Sequence, residues 1–214
     1  MVRDRIRRAL VRQFHGPSGP VGRVVGWVLA HRDDNVQRNR WVVDLLDLPL
    51  DATVLEVGFG AGLAIAGLAE RCPSGRVCGL DHSAVMVRQA QRRNRAAVAA
   101  GRVDLRCAPI DQPGVLADFD AKFDAVLAVN TLGMWPSPIE RLREIGAVMV
   151  PGGTVAIVSQ PRCPGADAAT TVRAGQEVAD QLTQAGFTVD RTETLGELDP
   201  PVVCVLAVVG ERTS

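Results

Sequence analysis

The chain of 214 residues contains no tyrosine, and Lys122 is its only lysine. The missing tyrosine removes one common general base and one phenolic ligand from consideration. No apolar run approaches the ~20 residues that are needed to cross a bilayer. The sequence also lacks a stripe of basic residues with interleaved aromatic residues, so no nucleic-acid partner is expected.

The five cysteines form no C-x-x-C pair, and the three histidines are too scattered to complete a zinc-ligand spacing, so no metal is expected. Cys78, Cys107 and Cys204 lie in or next to strand-like runs and are predicted to be buried thiols. Free thiols favour a reducing compartment. The short apolar run at 24–30 is not followed by a small-residue cleavage site, and we expect a soluble, cytoplasmic protein.

Charge is unevenly distributed along the chain. Residues 1–40 hold nine arginines against three aspartates, although the formal net charge of the whole chain is zero. Such a basic segment can contact an anionic substrate, or it can bind peripherally to the lipids of a membrane surface. It can equally be a solvated helix face, and both interpretations remain open.

Hydrophobic periodicity predicts alternating helices and strands. Helices are predicted over 2–13, 21–30, 35–46, 63–70, 83–100, 113–118, 137–149 and 167–185. Strands are predicted over 54–57, 76–81, 103–107, 123–130, 154–159, 187–193 and 202–209, with the last two forming an antiparallel hairpin at a sheet edge. The pattern favours an α/β fold with a doubly wound, mostly parallel seven-stranded sheet. Residues 1–46 would form a helical cap, and residues 47–214 would form the cofactor-binding domain.

The first predicted strand runs into a glycine-rich turn, Glu56-x-Gly58-x-Gly60-x-Gly62. Glycines allow a tight turn and a close approach of the backbone to a ligand. The helix that follows would direct free N–H groups at that ligand. The dinucleotide fingerprint G-x-G-x-x-G requires a third glycine where this chain has Leu63. Glu56 could accept from an ammonium group or an ordered water, whereas it would repel a pyrophosphate.

Asp81 stands at the end of the second predicted strand, 19 residues after Gly62. An acidic side chain at this place can accept from both hydroxyls of a ribose. A role as a helix N-cap is the alternative, because aspartate commonly caps helices. The two acidic residues and the turn together indicate a site for a nucleoside-containing cofactor.

Four segments in this order resemble successive motifs of class I S-adenosylmethionine-dependent methyltransferases, and the resemblance covers residues 40–210. The segments are Glu56-x-Gly58-x-Gly60-x-Gly62, Gly79-Leu80-Asp81-His82-Ser83-x-x-Met86-Val87-x-x-Ala90, Phe123-Asp124-Ala125-Val126-x-x-Val129-Asn130 and Leu142-x-Glu144-Ile145-x-x-Val148-Met149-Val150-Pro151-Gly152-Gly153. The chain is most similar to the broad group that methylates small molecules, quinones and lipids. The resemblance implies a Rossmann-like fold, S-adenosyl-L-methionine as methyl donor and S-adenosyl-L-homocysteine as product. The basic N-terminal segment and its apolar faces indicate a small acceptor that is hydrophobic or anionic.

The resemblance also implies which residues bind the cofactor. They are Glu56, Gly58, Phe59, Gly60, Gly62, Asp81, His82, Ser83, Ala108, Pro109 and Asn130. Glu56 would lie near the methionine moiety, and Asp81 would hold the ribose hydroxyls. Ala108 and Pro109 occupy the place where many members carry an Asp-Ala pair that reads adenine. A backbone N–H or Asp111 would replace the missing aspartate.

A general base is needed only if the acceptor must lose a proton. The candidates are His15, His31 and Asp33, all in the N-terminal segment, which in this family commonly folds over the cofactor and shapes the acceptor pocket. Trp135 could line that pocket or pack against it. Two other functions stay open at this point, an NAD(P)-dependent oxidoreductase and a catalytically silent relative that binds the cofactor. The chain is expected to be a monomer or a homodimer.

Overall fold

Seven strands form one sheet in the computed structural model, which describes residues 33–210. The strands are β1 (Thr53–Val57), β2 (Arg76–Asp81), β3 (Val103–Cys107), β4 (Phe123–Val129), β5 (Met149–Ser159), β6 (Phe187–Leu195) and β7 (Val202–Val209). The described helices are α1 (Asp33–Leu45), α2 (Leu63–Arg71), α3 (Ala84–Arg93), α4 (Arg95–Ala99), α5 (Pro138–Val148) and α6 (Ala168–Ala185). Short 3-10 helices occur at Ala117–Phe119 and Leu132–Met134.

The strand order is β3-β2-β1-β4-β5-β7-β6. β1 to β5 are paired in parallel, and β7 is inserted antiparallel between β5 and the edge strand β6. The order reverses between β1 and β4, and in open α/β sheets ligands bind at such a point beyond the carboxyl ends of the strands. The predicted doubly wound, mostly parallel sheet with its antiparallel C-terminal strands is confirmed.

Two apolar layers cover the sheet, one on each face. Successive residues of a strand point to opposite faces, so Val54 packs in one layer and Leu55 in the other. The first layer includes Val42 of α1 and Ile65 of α2. The second includes residues of α5 and α6, among them Leu182. The helix α1 is thus part of the core, while the predicted division between residues 1–46 and 47–214 stays a prediction.

The prediction of one helix over 83–100 is wrong, because the helix is interrupted at Asn94. The Asn94 side-chain amide donates to the carbonyl oxygens of Gly62 (3.2 Å) and Ala90 (2.9 Å). The Asn94 backbone leaves the helical region, with φ −99° and ψ 21°. A tertiary contact to the glycine turn therefore ends α3 and starts α4.

Three further predictions are corrected. The helix expected at 113–118 is limited to a 3-10 turn, Ala117–Phe119. The predicted turn at 151–153 lies inside β5, where the pairing with β4 shifts register around Asp124 and Gly152 adopts φ 74°. Cys107 is exposed rather than buried, because it ends β3 at the edge of the sheet.

The N-terminal helices predicted at 2–13 and 21–30, and with them most of the basic segment, lie outside the described residues. Among the helices of residues 33–210, not one has the length and apolar character that crossing a membrane requires.

Candidate active site

The three glycines of the turn after β1 meet two different requirements. All have positive φ, at 77° for Gly58, 52° for Gly60 and 74° for Gly62. A Cβ at Gly58 would collide with the side chain of Thr131, and a Cβ at Gly62 would lie 2.7 Å from Cβ of Ala90. A Cβ at Gly60 would meet no atom of the described part of the chain within 4 Å. Gly58 and Gly62 thus permit close packing, whereas Gly60 leaves an open space above the turn.

Glu56 is buried beneath this turn and is 2% exposed. The N–H of Ile65, in the first turn of α2, donates to its carboxyl group. Within residues 33–210, no group forms a hydrogen bond with its Oε2 atom. Burial, and secondarily the negative charge of Asp81, raise the pKa of Glu56 to about 8, which the Ile65 N–H partly opposes. In the free protein this carboxyl group is therefore protonated at neutral pH, and a cation nearby would favour its ionised form.

Asp81 ends β2 and connects two backbone segments. Its Oδ2 accepts from the N–H of Gly60 and its Oδ1 from the N–H of Ser83, both at 2.8 Å. The group is 6% exposed, and this burial raises its pKa. The N-cap of α3 is Ser83, whose hydroxyl accepts from the N–H of Met86. A carboxylate has about four acceptor positions, so Asp81 keeps lone pairs for a ligand. Nδ1 of His82 lies 3.9 Å from Oδ1 of Asp81.

The segment after β3 runs alongside Asp81. The N–H of Ala108 donates to the carbonyl oxygen of Asp81 at 3.1 Å. Pro109 has no N–H, and its carbonyl oxygen accepts from Gln112 at 3.2 Å. A backbone N–H was one of the two replacements considered for the missing adenine-reading aspartate, and that of Ala108 is already engaged.

The ends of β4 and β5 are held together by side chains. Asn130, with φ 56°, accepts at Oδ1 from the N–H of Gln160 at 2.6 Å. The hydroxyl of Thr131 donates to the carbonyl oxygen of Val57 at 3.0 Å. These bonds fix the ends of β1, β4 and β5 relative to one another.

Arg38 on α1 reaches the same region and is 6% exposed. Its guanidinium donates to Oε1 of Gln160 at 2.7 Å and to Oδ1 of Asn35 at 2.8 Å. Nε2 of Gln160 donates in turn to the carbonyl oxygen of Pro200 at 2.9 Å. The hydrogen bond to Gln160 thus joins α1 to the end of β5, whereas the one to Asn35 stays within α1.

Most of these groups border one cavity of about 1330 Å³ at the carboxyl ends of the strands. Nine of the predicted cofactor residues line it, namely Glu56, Gly58, Phe59, Gly60, Asp81, His82, Ala108, Pro109 and Asn130. The opposite end is lined by Trp135 and Pro136, by Arg162 after β5, and by Glu177 and Gln181 of α6. Trp135 both lines the cavity and packs in the core, so the two roles considered for it coexist.

The structure does not bring every predicted residue to the cavity. Gly62 and Ser83 are absent from its lining and act as helix N-caps. Asp33 is exposed at the start of α1 and does not line it either. His15 and His31 lie outside the described residues.

Sequence reasoning missed Arg38, Gln160 and the lining residues of α6. Asn35 and Arg38 are spaced i, i+3 and therefore share one helix face, which is the only local signal for them. Gln160 lies 122 residues from Arg38 in the sequence, so no local pattern relates the two.

Comparison with known proteins identifies this architecture. A family model described as a methyltransferase domain matches residues 54–153. An uncharacterized methyltransferase of Bacillus subtilis, YdaC, is 29% identical over 77% of this chain and 86% of its own length. A trans-aconitate 2-methyltransferase of Azoarcus sp. is 36% identical over 56% of this chain, and the chain spans only 45% of that protein.

The magnesium protoporphyrin IX methyltransferase of Synechocystis, solved with bound S-adenosylhomocysteine, has the same fold. Its TM-score is 0.68 at 18% identity, covering 95% of this chain and 100% of that one. The glycine turn and Asp81 lie within the matched family domain. Residues 54–153 thus match a methyltransferase domain, and the sequence match, the shared fold and the relatives support a class I S-adenosylmethionine-dependent methyltransferase.

Proposed function

We propose that the chain transfers the methyl group of S-adenosylmethionine to a small-molecule acceptor, with both molecules bound in the one cavity beyond the strand ends. The observation that carries this proposal is the size and continuity of the cavity. Pockets for one ligand typically measure roughly 300–1,000 Å³, and this cavity measures about 1330 Å³. The space therefore suits a cofactor together with an acceptor.

The residues at the glycine turn fit the cofactor. Glu56 presents a buried oxygen to which no described residue donates a hydrogen bond, and such an oxygen suits the ammonium group in the amino-acid part of the cofactor. The open space above Gly60 admits a ligand directly against the backbone. Asp81, held by Gly60 and Ser83, would accept from the ribose hydroxyls.

The acceptor would enter from the other end of the cavity. Trp135 and Pro136 provide an apolar wall there, and Arg162, Glu177 and Gln181 provide polar groups. A mainly apolar lining with a few polar groups is typical of small-molecule sites. Arg162 would favour an acceptor that carries an anionic group. The basic N-terminal segment likewise indicates an anionic acceptor. A trans-aconitate 2-methyltransferase among the relatives adds support for an anionic acceptor.

When bound, S-adenosylmethionine supplies an already activated methyl group. The protein's contribution is then to orient the acceptor and to exclude water. Trp135 and Leu132, both buried, close the cavity on the side of β4. A base is required only for an acceptor that must lose a proton. Of the three residues predicted for that role, the one that the structure describes, Asp33, does not line the cavity.

The open position at Gly60 provides a sharp test. Gly60→Val would place its side chain in the space proposed for the cofactor. Gly101→Val is the matched control, because Gly101 has φ 71° and equally open surroundings but does not line the cavity. Both variants carry the same penalty for a β-branched residue at positive φ. Only Gly60→Val should lose binding of S-adenosylhomocysteine in calorimetry and transfer of tritiated methyl groups to acceptors in a cell extract.

Equal cofactor affinity of the two variants would overturn the placement of the cofactor. Tight binding of NAD without binding of S-adenosylhomocysteine would overturn the proposed function itself. Cofactor binding without methyl transfer to any small molecule would favour the catalytically silent alternative.

A further inference from the structure

Two arginines from distant segments converge at the acceptor end of the cavity. Arg38 lies on α1, and Arg162 follows β5. Oδ1 of Asn35 accepts from Nη2 of Arg38 at 2.8 Å and from Nη2 of Arg162 at 3.3 Å. Because both nitrogens contact one oxygen atom, they lie no more than about 6 Å apart. All three residues line the cavity, so Arg38 and Arg162 form an arginine pair on its wall.

Side-chain amides hold the arginine pair in place. Besides its bond to Asn35, Arg38 donates to Oε1 of Gln160 at 2.7 Å. Gln160 is itself anchored, because its N–H donates to Oδ1 of Asn130 at 2.6 Å and its Nε2 to the carbonyl oxygen of Pro200 at 2.9 Å. An amide oxygen orients a guanidinium group without bringing a negative charge to it. These contacts therefore prepare a cationic surface before a ligand arrives, which lowers the cost of binding.

The arginine pair lies away from the place proposed for the cofactor. In the strand order β2-β1-β4-β5, the end of β5 is two strands from the glycine turn after β1. Adjacent strands are about 4.8 Å apart, so this separation is roughly 10 Å along the edge of the sheet. A cofactor at the glycine turn and Asp81 extends from β1 toward β2, in the opposite direction. The arginine pair thus borders the part of the cavity that is proposed for the acceptor.

We propose that the arginine pair binds a carboxylate group of the methyl acceptor, which makes the acceptor a small carboxylic acid in its ionised form. This inference rests on the proposed function. The planar guanidinium fork matches the two oxygens of a carboxylate, and donors that converge on the planar amide of Asn35 also suit a planar carboxylate. Arg38 is 6% exposed, so its attraction to that group would be screened only weakly. Trp135 and Leu132, which are buried and line the cavity, would pack against the apolar part of the acceptor.

Chemical treatment of the acceptors in a cell extract tests this substrate class. Transfer of tritiated methyl groups is measured with the small molecules of three extracts. One is untreated, one is treated with phosphatase, and in the third a carbodiimide and ethanolamine convert carboxylates to amides. Transfer should survive phosphatase and should fall about tenfold or more after amide formation, because the arginine pair loses a charged partner. An extract incubated with ethanolamine alone is the control.

A variant of Arg162 tests the residues of the pair. Arg162 is exposed, so its replacement should leave the fold intact. Arg162→Gln should raise about tenfold the extract concentration that gives half of the maximal transfer rate, and it should bind S-adenosylhomocysteine like the wild type in calorimetry. Arg173→Gln is the matched control, because it removes the same charge from an exposed position of α6 that does not line the cavity. It should match the wild type in both measurements.

Several results would overturn this assignment while leaving the proposed function intact. Undiminished transfer after amide formation would exclude a carboxylate, and loss of transfer after phosphatase would indicate a phosphate group instead. Equal concentration dependence of Arg162→Gln and the wild type would remove the arginine pair from the acceptor site. Weaker binding of S-adenosylhomocysteine by Arg162→Gln would place the cofactor's own carboxylate there. Absence of transfer to any molecule of the untreated extract would overturn the proposed function together with this inference.

Discussion

Replacing Glu56 with glutamine should change how the stability of the cofactor-free protein depends on pH. The carboxyl group is buried, and its pKa rises from 4.5 to about 8. A group whose pKa is higher in the folded state stabilises the fold fully below the unfolded pKa. That stabilisation is lost as the pH rises through the folded pKa. Glutamine has the same shape, stays neutral and has no such dependence.

The size of the effect follows from the two pKa values of Glu56. Their difference corresponds to about 5 kcal/mol of stability, which is lost over the pH range that spans the two values. Between about pH 5.5 and about pH 7.5, the wild type should lose about 2–3 kcal/mol more than Glu56→Gln does. Other titrating groups occur in both proteins and cancel in this difference.

Urea unfolding of both proteins at the two pH values measures this quantity, because the free energy in water follows from linear extrapolation. A cationic cofactor beside Glu56 would favour its ionised form. The wild type should therefore release close to one proton on binding, seen in calorimetry as a dependence on the buffer's ionisation enthalpy, and Glu56→Gln should release none. Parallel pH curves for the two proteins would refute the reasoning.

Three further predictions concern packing and reactivity. Arg38→Met removes the hydrogen bonds to Asn35 and Gln160 and should lower the free energy of unfolding, measured in urea, by about 1–3 kcal/mol. The control Arg40→Met, at an exposed position, should change this free energy little. Asn94→Ala removes the hydrogen bonds to Gly62 and Ala90 and should lower the free energy of unfolding by about 1–2 kcal/mol. Gln91→Ala, at an exposed position, is its control. Equal stabilities of the two variants would contradict the role of Asn94. With a thiol reagent, Cys107 and Cys163 should react quickly, and the three buried cysteines should react only on unfolding. Burial raises the pKa of Cys78 to about 11. A fast reaction of Cys78 would therefore contradict its burial.

The fold could be predicted well where the local signals are strong. β2 has the predicted bounds, Arg76–Asp81. α6 is followed by its C-cap Gly186, which adopts the left-handed conformation, with φ 97°, that favours glycine at this position. The interruption at Asn94 could not be predicted, because it depends on a carbonyl group 32 residues away. The shift within β5 similarly depends on its pairing with β4.

The candidate site likewise contains residues that local sequence motifs could predict and residues that they could not. Glu56, Gly60 and Asp81 belong to local motifs, and the structure brings them to one cavity. Their roles in binding remain predictions. Arg38 and Gln160 meet only after folding, and the acceptor end is assembled from distant segments. The sequence therefore indicates the methyl donor far better than the acceptor.

A crystal structure of the protein with S-adenosylhomocysteine tests the central claim most directly. We expect the ligand in the cavity, with its ribose hydroxyls on the carboxylate of Asp81, its amino-acid part beside Glu56 and its adenine near the end of β3. A ligand bound elsewhere, or bound in the reverse direction along the sheet edge, would contradict the account.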